Sequence, residues 1–314
     1  MIGKVKYIYI AILTAILLFN SSVTIAQQSP LMSHYMFNGL LLNPAYAGSK
    51  DYVSTTMLYR KQWVGMEGAP TTQSVSIHGP VRSKKLGLGL YILRDKIGVT
   101  GETDVFGSVA YHLPLPKAKL SFGMQFGLNS YKSEIVNLKY WDPQDKVFNY
   151  NTYSNTLPNV GFGVYYYQSL FYAGFSIPGL ISYNPEESFS VKRDTVLYRY
   201  NRRYLFTSGY VFETEGALKF KPSILVKYEK NSPVQFDLNL NVLINDIFWV
   251  GASFRNGDAI VALVEYQINR KFRVGYSYDY TLSKLRTYQS GSHEIMLGYD
   301  FGYDVLKMKT PRYF

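Results

Sequence analysis

Between Ala217 and Phe301 the sequence alternates apolar and polar residues in run after run, with only short connections between the runs. In the run from Leu218 to Tyr228, residues of one parity are mostly large and apolar, and those of the other parity are mostly polar. A period of two residues predicts β-strands with one apolar face. Runs of about ten residues match the length of a tilted strand that crosses a bilayer, whereas strands in soluble proteins average about five or six. The pattern therefore favours a transmembrane barrel over a soluble sandwich.

Composition narrows the class of membrane protein. After residue 26, no stretch approaches the roughly 20 apolar residues that a spanning helix needs. The chain has 30 tyrosines, which suit a lipid–water boundary because the ring lies in acyl chain while the hydroxyl reaches the headgroups. It has no cysteine, which excludes disulfides, thiolate metal sites and lipid attachment through a thiol.

The formal net charge of +11 favours anionic partners. In an outer membrane these are phosphorylated lipid headgroups or acidic protein surfaces. No nucleic-acid-binding motif is present. Lysines that only keep loops solvated are an equally good explanation of the charge.

Residues 1–26 have the pattern of a cleaved secretory signal peptide. Two lysines precede an apolar run from Tyr7 to Phe19, which is too short to span a membrane, and small residues follow up to Ala26. We expect the mature chain to begin at Gln27 in the periplasm.

Residues 27–51 precede the first clear strand and lack its alternation. Asn-Pro and a later glycine indicate turns rather than a strand. Two roles are open for this segment: a periplasmic lead-in or plug in the barrel mouth, or a docking surface for periplasmic partners. The candidate docking residues are Asn43, Pro44, Ala45, Tyr46 and Gly48.

Residues 52–314 are predicted to form an all-β, up-and-down antiparallel barrel of fourteen strands, with twelve and sixteen as alternatives. An even number of strands returns the C-terminus to the periplasm. The predicted strands are 52–62, 71–79, 86–95, 103–113, 118–131, 159–168, 170–178, 203–214, 217–230, 234–244, 247–255, 258–268, 270–281 and 292–302.

The lengths of the connections support this count. Bacterial barrels have short periplasmic turns and longer external loops, and with the first strand running outward the long segments 132–158, 179–202 and 282–291 all fall outside. The terminal aromatic residue Phe314 is a candidate assembly signal.

Charged residues of both signs occur on the parity that faces the lumen. Opposite charges on neighbouring strands predict ion pairs across a closed or plugged lumen, although a barrel of this size can also hold a water-filled pore. The candidate lumen charges are Lys219, Lys221, Lys227, Asp237, Arg255, Glu265, Arg273 and Asp279.

The sequence offers little for catalysis. Ser292, His293 and Glu294 form the one local cluster that suggests a hydrolase. Neighbours on one strand point to opposite faces, so His293 is expected toward lipid and Glu294 toward the lumen. We therefore predict no catalytic residues, no metal site, no cofactor and no enzyme activity.

Several short motifs follow one another along nearly the whole mature chain. They are Met36-Phe37-Asn38, Asn43-Pro44-Ala45-Tyr46-Ala47-Gly48, Arg60-Lys61-Gln62-Trp63, Gly68-Ala69-Pro70, Gly257-Asp258-Ala259-Ile260, Gly275-Tyr276-Ser277-Tyr278-Asp279 and His293-Glu294-Ile295-Met296-Leu297. In content and order these motifs resemble the PorP/SprF family. One departure is Thr310, where the family often has a cysteine.

The resemblance implies a barrel of the type IX secretion system in the outer membrane of a Gram-negative bacterium. Members similar to PorP tie the periplasmic PorK and PorN ring to that membrane, and members similar to SprF support export and surface attachment of large adhesins such as SprB in gliding cells. Neither role is catalytic. The resemblance also makes the segment from Asn43 to Gly48 the best docking candidate. The alternative function is a channel or transporter for small or hydrophobic solutes.

Overall fold

The computed structural model describes residues 31–134, 153–183, 200–230 and 232–301. Within these residues one antiparallel sheet closes on itself: β1 pairs with β15, and β10 with β11. Closure leaves no free sheet edge, as a strand-built membrane protein requires. Its segments are β1 Val53–Lys61, β2 Thr71–Pro80, β3 Leu86–Ile97, β4 Thr100–Pro114, β5 Lys119–Ser133, β6 Tyr153–Tyr167, β7 Phe171–Ile177, β8 Arg203–Tyr210, β9 Phe212–Glu213, β10 Leu218–Glu229, β11 Gln235–Ile244, β12 Phe248–Arg255, β13 Ala259–Gln267, β14 Phe272–Thr281 and β15 Ser292–Phe301.

The segments β8 and β9 form a single strand of the barrel. Both pair with β10 in one continuous register, and only Val211 separates them. The gap lies beside Pro222, which has no N–H to donate to the ladder. The N–H of Val211 points to the neighbour on the other side and donates to the carbonyl of Leu170. The barrel therefore has fourteen strands, which confirms the predicted count.

The largest difference from the predicted boundaries is at β6, which begins at Tyr153 instead of 159. Its pairing with β5 continues through Pro158, the residue just before the predicted start of this strand. Ladder pairing of β6 with β7 starts only at Phe162. Pro158 thus occupies an edge-like stretch, where a missing N–H is tolerated.

The two faces of the wall have the predicted polarity. On β11, Leu238 is 48% exposed on the outer face, whereas its neighbour Asn239 is 5% exposed and faces the lumen. Exposed Leu, Ile, Val, Phe and Tyr side chains recur at alternate positions of most other strands. An outward apolar belt of this kind is the surface that lipid covers.

The two ends of the barrel differ in their connections. At one end, here called the short-turn end, the strands are joined by 81–85, 115–118, 168–170, 214–217, 245–247 and 268–271. The tight turn at this end between β11 and β12 contains Asn245 and Asp246, both with positive φ, which is the geometry that two-residue hairpins favour. The opposite end, here called the long-loop end, includes the connections 62–70 and 282–291.

Two of the predictions fall on residues that the structure does not describe. The signal peptide at 1–26 and the candidate assembly signal Phe314 lie outside the described ranges. No helix within those ranges is long and apolar enough to cross a membrane.

The outward face generates a test of depth in the bilayer. Leu238→Arg, near the middle of the wall, should lower the free energy of unfolding by about 2–4 kcal/mol, because the charge enters hydrocarbon. The control is Tyr228→Arg on the neighbouring strand β10. Tyr228 lies four residues closer to the long-loop end than Ile224, which pairs with Leu238. Because it is near the interface, this change should cost about 0–1 kcal/mol. Urea unfolding of protein in phospholipid vesicles measures both, and equal costs would contradict the assignment of the lipid-facing side.

Candidate functional site in the barrel lumen

The interior of the barrel is occupied by the chain's own residues Leu31–Lys50, here called the lumen segment. It contains three single-turn 3₁₀ helices, Tyr35–Phe37, Gly39–Leu41 and Pro44–Tyr46. Most of its residues are buried. A barrel of this size has an interior wider than its own inward side chains can fill, so the segment supplies contacts that the wall lacks.

The lumen segment runs from one end of the barrel to the other. At its start, the backbone N–H groups of Ser33 and His34 donate to Glu294, the third residue of β15 from the long-loop end. At its far end, Gly48 N–H donates to His78 of β2 at 3.2 Å, close to the short-turn end. The chain then enters β1.

Five buried side chains hold the start of the segment, and we call them the seam network: Ser33, His34, Arg60, Asp279 and Glu294. Arg60 contacts Asp279 at 2.8 Å and Glu294 at 3.4 Å. His34 Nδ1 lies 2.8 Å from Glu294, and the Ser33 hydroxyl donates to Asp279 at 2.9 Å. Because β1 and β15 are the first and last strands, Arg60 and Glu294 face each other across the seam that closes the barrel.

The network continues along the wall through Arg255. Its guanidinium lies 3.0 Å from Asp237, 3.2 Å from Asp258 and 3.5 Å from Asp279. Each buried charge therefore has an opposite partner, and removing one partner of such a pair leaves the other uncompensated.

A separate cluster lies nearer the short-turn end. Arg273 approaches Glu265 at 3.6 Å and Asp300 at 3.5 Å, and the Ser54 hydroxyl donates to Asp300 at 2.7 Å. These two sets of ion pairs thus lie at different levels along the lumen.

Small residues on the wall form a seat for the second half of the lumen segment. Gly87, Ala110, Gly123, Gly163 and Ser176 are successive partners across five neighbouring strands, β3 to β7. A Cβ at any of the three glycines would collide with the segment's backbone or with the side chain of Asn43, which precedes its third 3₁₀ helix. Gly87 and Gly89 of β3 thus permit close approach of a second chain segment.

Asn43 fixes the segment on this seat. Its Oδ1 accepts the N–H of Ala45 at 2.9 Å and caps the turn, while its Nδ2 donates to the carbonyls of Val164 and Phe175. The Ser176 hydroxyl donates at 2.6 Å to the carbonyl of Leu42, the residue before Asn43. The Asn-Pro pair therefore turns the chain and bonds it to the wall.

Aromatic side chains pack the first half of the lumen segment against the wall. Phe37 packs edge-to-face on Trp249 with ring centroids 5.8 Å apart, and the Lys221 ammonium lies 5.7 Å from both rings. The Tyr35 hydroxyl accepts from Asn239 Nδ2 at 2.7 Å. A small cavity of about 30 Å³ remains between the segment and the wall.

The candidate docking residues Asn43, Pro44, Ala45, Tyr46 and Gly48 are all buried in the seat. Their role as a docking surface stays a prediction, and in this arrangement a partner could reach them only if the segment left the lumen. Of the candidate lumen charges, Lys219 lies at the short-turn rim and pairs with the exposed Asp246 at 2.6 Å. The other seven are buried, and they are Lys221, Lys227, Asp237, Arg255, Glu265, Arg273 and Asp279.

Sequence analysis did not assign Ser33, His34, Arg60 and Glu294 to the site. Arg60, Asp279 and Glu294 each lie in one of the motifs that carry the family resemblance, and that shared membership was the available signal. His293 lies on the outer face, where the Tyr276 hydroxyl bonds its Nδ1 at 2.7 Å. Within the described ranges, no group of three His, Asp or Glu residues is placed to hold a metal ion.

Comparison with known families decides the assignment. Residues 24–299 match the family model described as type IX secretion system membrane protein PorP/SprF. The chain belongs to the PorP/SprF family. This is a family of secretion-system membrane proteins and not of enzymes. No curated protein matches the chain in sequence.

Solved barrels resemble this PorP/SprF protein in fold. The toluene transporter TbuX of Ralstonia pickettii aligns with a TM-score of 0.51 at 9% identity, over 83% of this chain and 92% of the transporter. Omp33 of Acinetobacter baumannii aligns with a TM-score of 0.46 at 10% identity, over 81% of this chain and 100% of Omp33. At such identity the likeness to TbuX concerns the barrel fold alone.

The seam network predicts a large effect from a small change. Glu294→Gln should lower the free energy of unfolding by about 3–5 kcal/mol, because Arg60 loses part of its buried compensation. Glu134→Gln, in the exposed pair with Lys132 at 2.7 Å, should leave the free energy of unfolding almost unchanged, because water screens the pair. Urea unfolding of both variants in the same vesicles checks this, and a small cost for Glu294→Gln would show that the network contributes little to stability.

The glycine seat predicts that an added side chain expels the segment. The natural chain has no cysteine, so Ala45→Cys provides a single reporter thiol. In the folded barrel this thiol should resist a maleimide reagent, and it should become reactive when Gly123→Val is added.

Gly107→Val is the matched control, because a Cβ there meets nothing within 4 Å. It should leave the reporter protected. Equal labelling of the two double variants would contradict the seat.

Proposed function

We propose that this protein is a non-catalytic outer-membrane anchor of the type IX secretion system, and that its barrel is closed by the lumen segment. In this role it ties periplasmic ring proteins similar to PorK and PorN to the membrane, or supports export and surface attachment of one large adhesin similar to SprB. Membership of the PorP/SprF family supports a secretion role.

The observation that carries the proposal is the bonding of the lumen segment. A transporter needs a continuous path, whereas here buried hydrogen bonds from Ser33 and His34 to Glu294 at the long-loop end, and a fitted glycine seat toward the other end, hold the chain's own residues in the lumen. Releasing the segment breaks these buried hydrogen bonds, and leaving buried polar groups without partners is energetically unfavourable. An anchor does not need such a release for its function.

Deletion of the gene, with quantitative comparison of surface and secreted proteins, tests the role. Broad loss of secreted proteins is expected for a ring anchor, and loss of one large adhesin for a dedicated partner. Complementation with the wild-type chain should restore the missing proteins. No change in either fraction would overturn the proposal and favour a channel for small or hydrophobic solutes.

Conductance separates an anchor from a channel directly. Purified wild-type protein should give no single-channel steps in planar bilayers, because the segment blocks the lumen. The Gly123→Val variant should give steps if its segment is displaced, and the Gly107→Val variant should behave as wild type. Regular steps from the wild-type barrel would count against a closed lumen.

A further inference from the structure

The outer face of the wall has a marked asymmetry of charge. Among the described strand positions, outward-facing Lys and Arg side chains occur only at Lys61, Arg94, Lys96 and Lys132, and no outward position holds Asp or Glu. All four lie within the last few residues of β1, β3 and β5 at the long-loop end. The outward positions of β10 to β13, on another sector of the barrel, hold no charge.

The strand register places part of this charge in one row. Tyr278, His293, Lys61, Thr71 and Lys96 are successive partners across β14, β15, β1, β2 and β3. Lys61 and Lys96 are therefore two strand spacings apart, about 10 Å. Both side chains are exposed, and the nearby carboxylate Glu134, which attracts Lys96, forms its close ion pair with Lys132 at 2.7 Å.

The next rows show a gradient of polarity along the same five strands. Two residues closer to the middle of the wall, the row consists of Tyr276, Ile295, Tyr59, Gln73 and Arg94. Another two residues toward the middle of the wall, the row is entirely apolar. That apolar row is Val274, Leu297, Met57, Val75 and Ile92.

This order matches the layers of a lipid leaflet. Acyl chains cover the apolar row, tyrosines and other amphipathic side chains lie at the boundary, and cations lie at the level of the headgroups. The exposed Lys284 and Arg286, on the 3₁₀ helix above β14, add positive charge at the same rim. The Arg286 guanidinium donates to the Tyr280 hydroxyl at 3.0 Å.

We infer that the outer face of β14, β15, β1, β2 and β3 binds a lipid with a phosphorylated headgroup in the leaflet at the long-loop end. Lys61, Arg94 and Lys96 pair with its phosphate oxygens, since ammonium and guanidinium groups form charge-assisted hydrogen bonds with phosphate. A lipid fits this surface better than an acidic protein does, because the cations directly continue the lipid-covered rows of the same strands. The inference does not depend on the secretion role.

The test uses detergent-solubilised full-length protein and three probes: diphosphorylated lipid A, the same lipid with its phosphates removed, and dioleoyl phosphatidylethanolamine. The wild-type barrel should bind the diphosphorylated lipid at least about tenfold more tightly than either other probe, because each surface cation adds to the attraction. The preference should weaken as salt is added.

The triple variant K61Q/R94Q/K96Q should lose the preference for the phosphorylated lipid. The control R82Q/K85Q/K117Q removes the same amount of charge from exposed positions at the short-turn end. It should retain the preference for the phosphorylated lipid. Heat-dependent migration on a gel verifies that each variant is a folded barrel. Equal affinity for phosphorylated and dephosphorylated lipid, or full retention by K61Q/R94Q/K96Q, would overturn the inference. Patch-dependent binding of polyglutamate without lipid binding would assign the surface to an acidic protein instead.

Discussion

A fourteen-stranded barrel encloses more space than its inward side chains can fill, and the whole interior of this protein reflects that constraint. An unfilled lumen admits water, whereas this one contains a segment of the same chain with its own turns and caps. The wall is shaped to receive it: glycines where the backbone comes close, amide and hydroxyl groups where carbonyls need donors, and opposite charges at the long-loop end. The inward residues are therefore best understood as an interface and not as the lining of a pore.

Much of the barrel could be predicted from sequence, because alternation, strand length and turn chemistry are local properties. Leu238 and Asn239 face opposite sides for the reason that period two dictates. Pro158 and Pro222 show the limit of the local rule, since whether a proline ends a strand depends on which neighbour would have used its N–H. That information is not present in the strand itself.

The lumen site was much less predictable. Asn43 and Gly48 attracted attention as turn formers, yet their partners on β2, β6 and β7 are 30 to 132 residues away in sequence. Ser33 and Glu294, separated by 261 residues, meet only because the barrel closes. Nothing in the spacing of these residues indicates the contact, and inward charges such as Arg255 and Asp279 predicted ion pairs without identifying the pairs.

The position of Arg60 and Glu294 on the first and last strands has a consequence for biogenesis. The last strand supplies a carboxylate that the first strand and the residues preceding it both need, so a chain interrupted before β15 leaves Arg60 with Asp279 alone and leaves the Ser33 and His34 amides without their acceptor. Closure of the barrel and seating of the lumen segment thus depend on the same carboxylate, Glu294. A barrel that lacks β15 would therefore leave Arg60 only partly compensated, which is unfavourable for a buried charge.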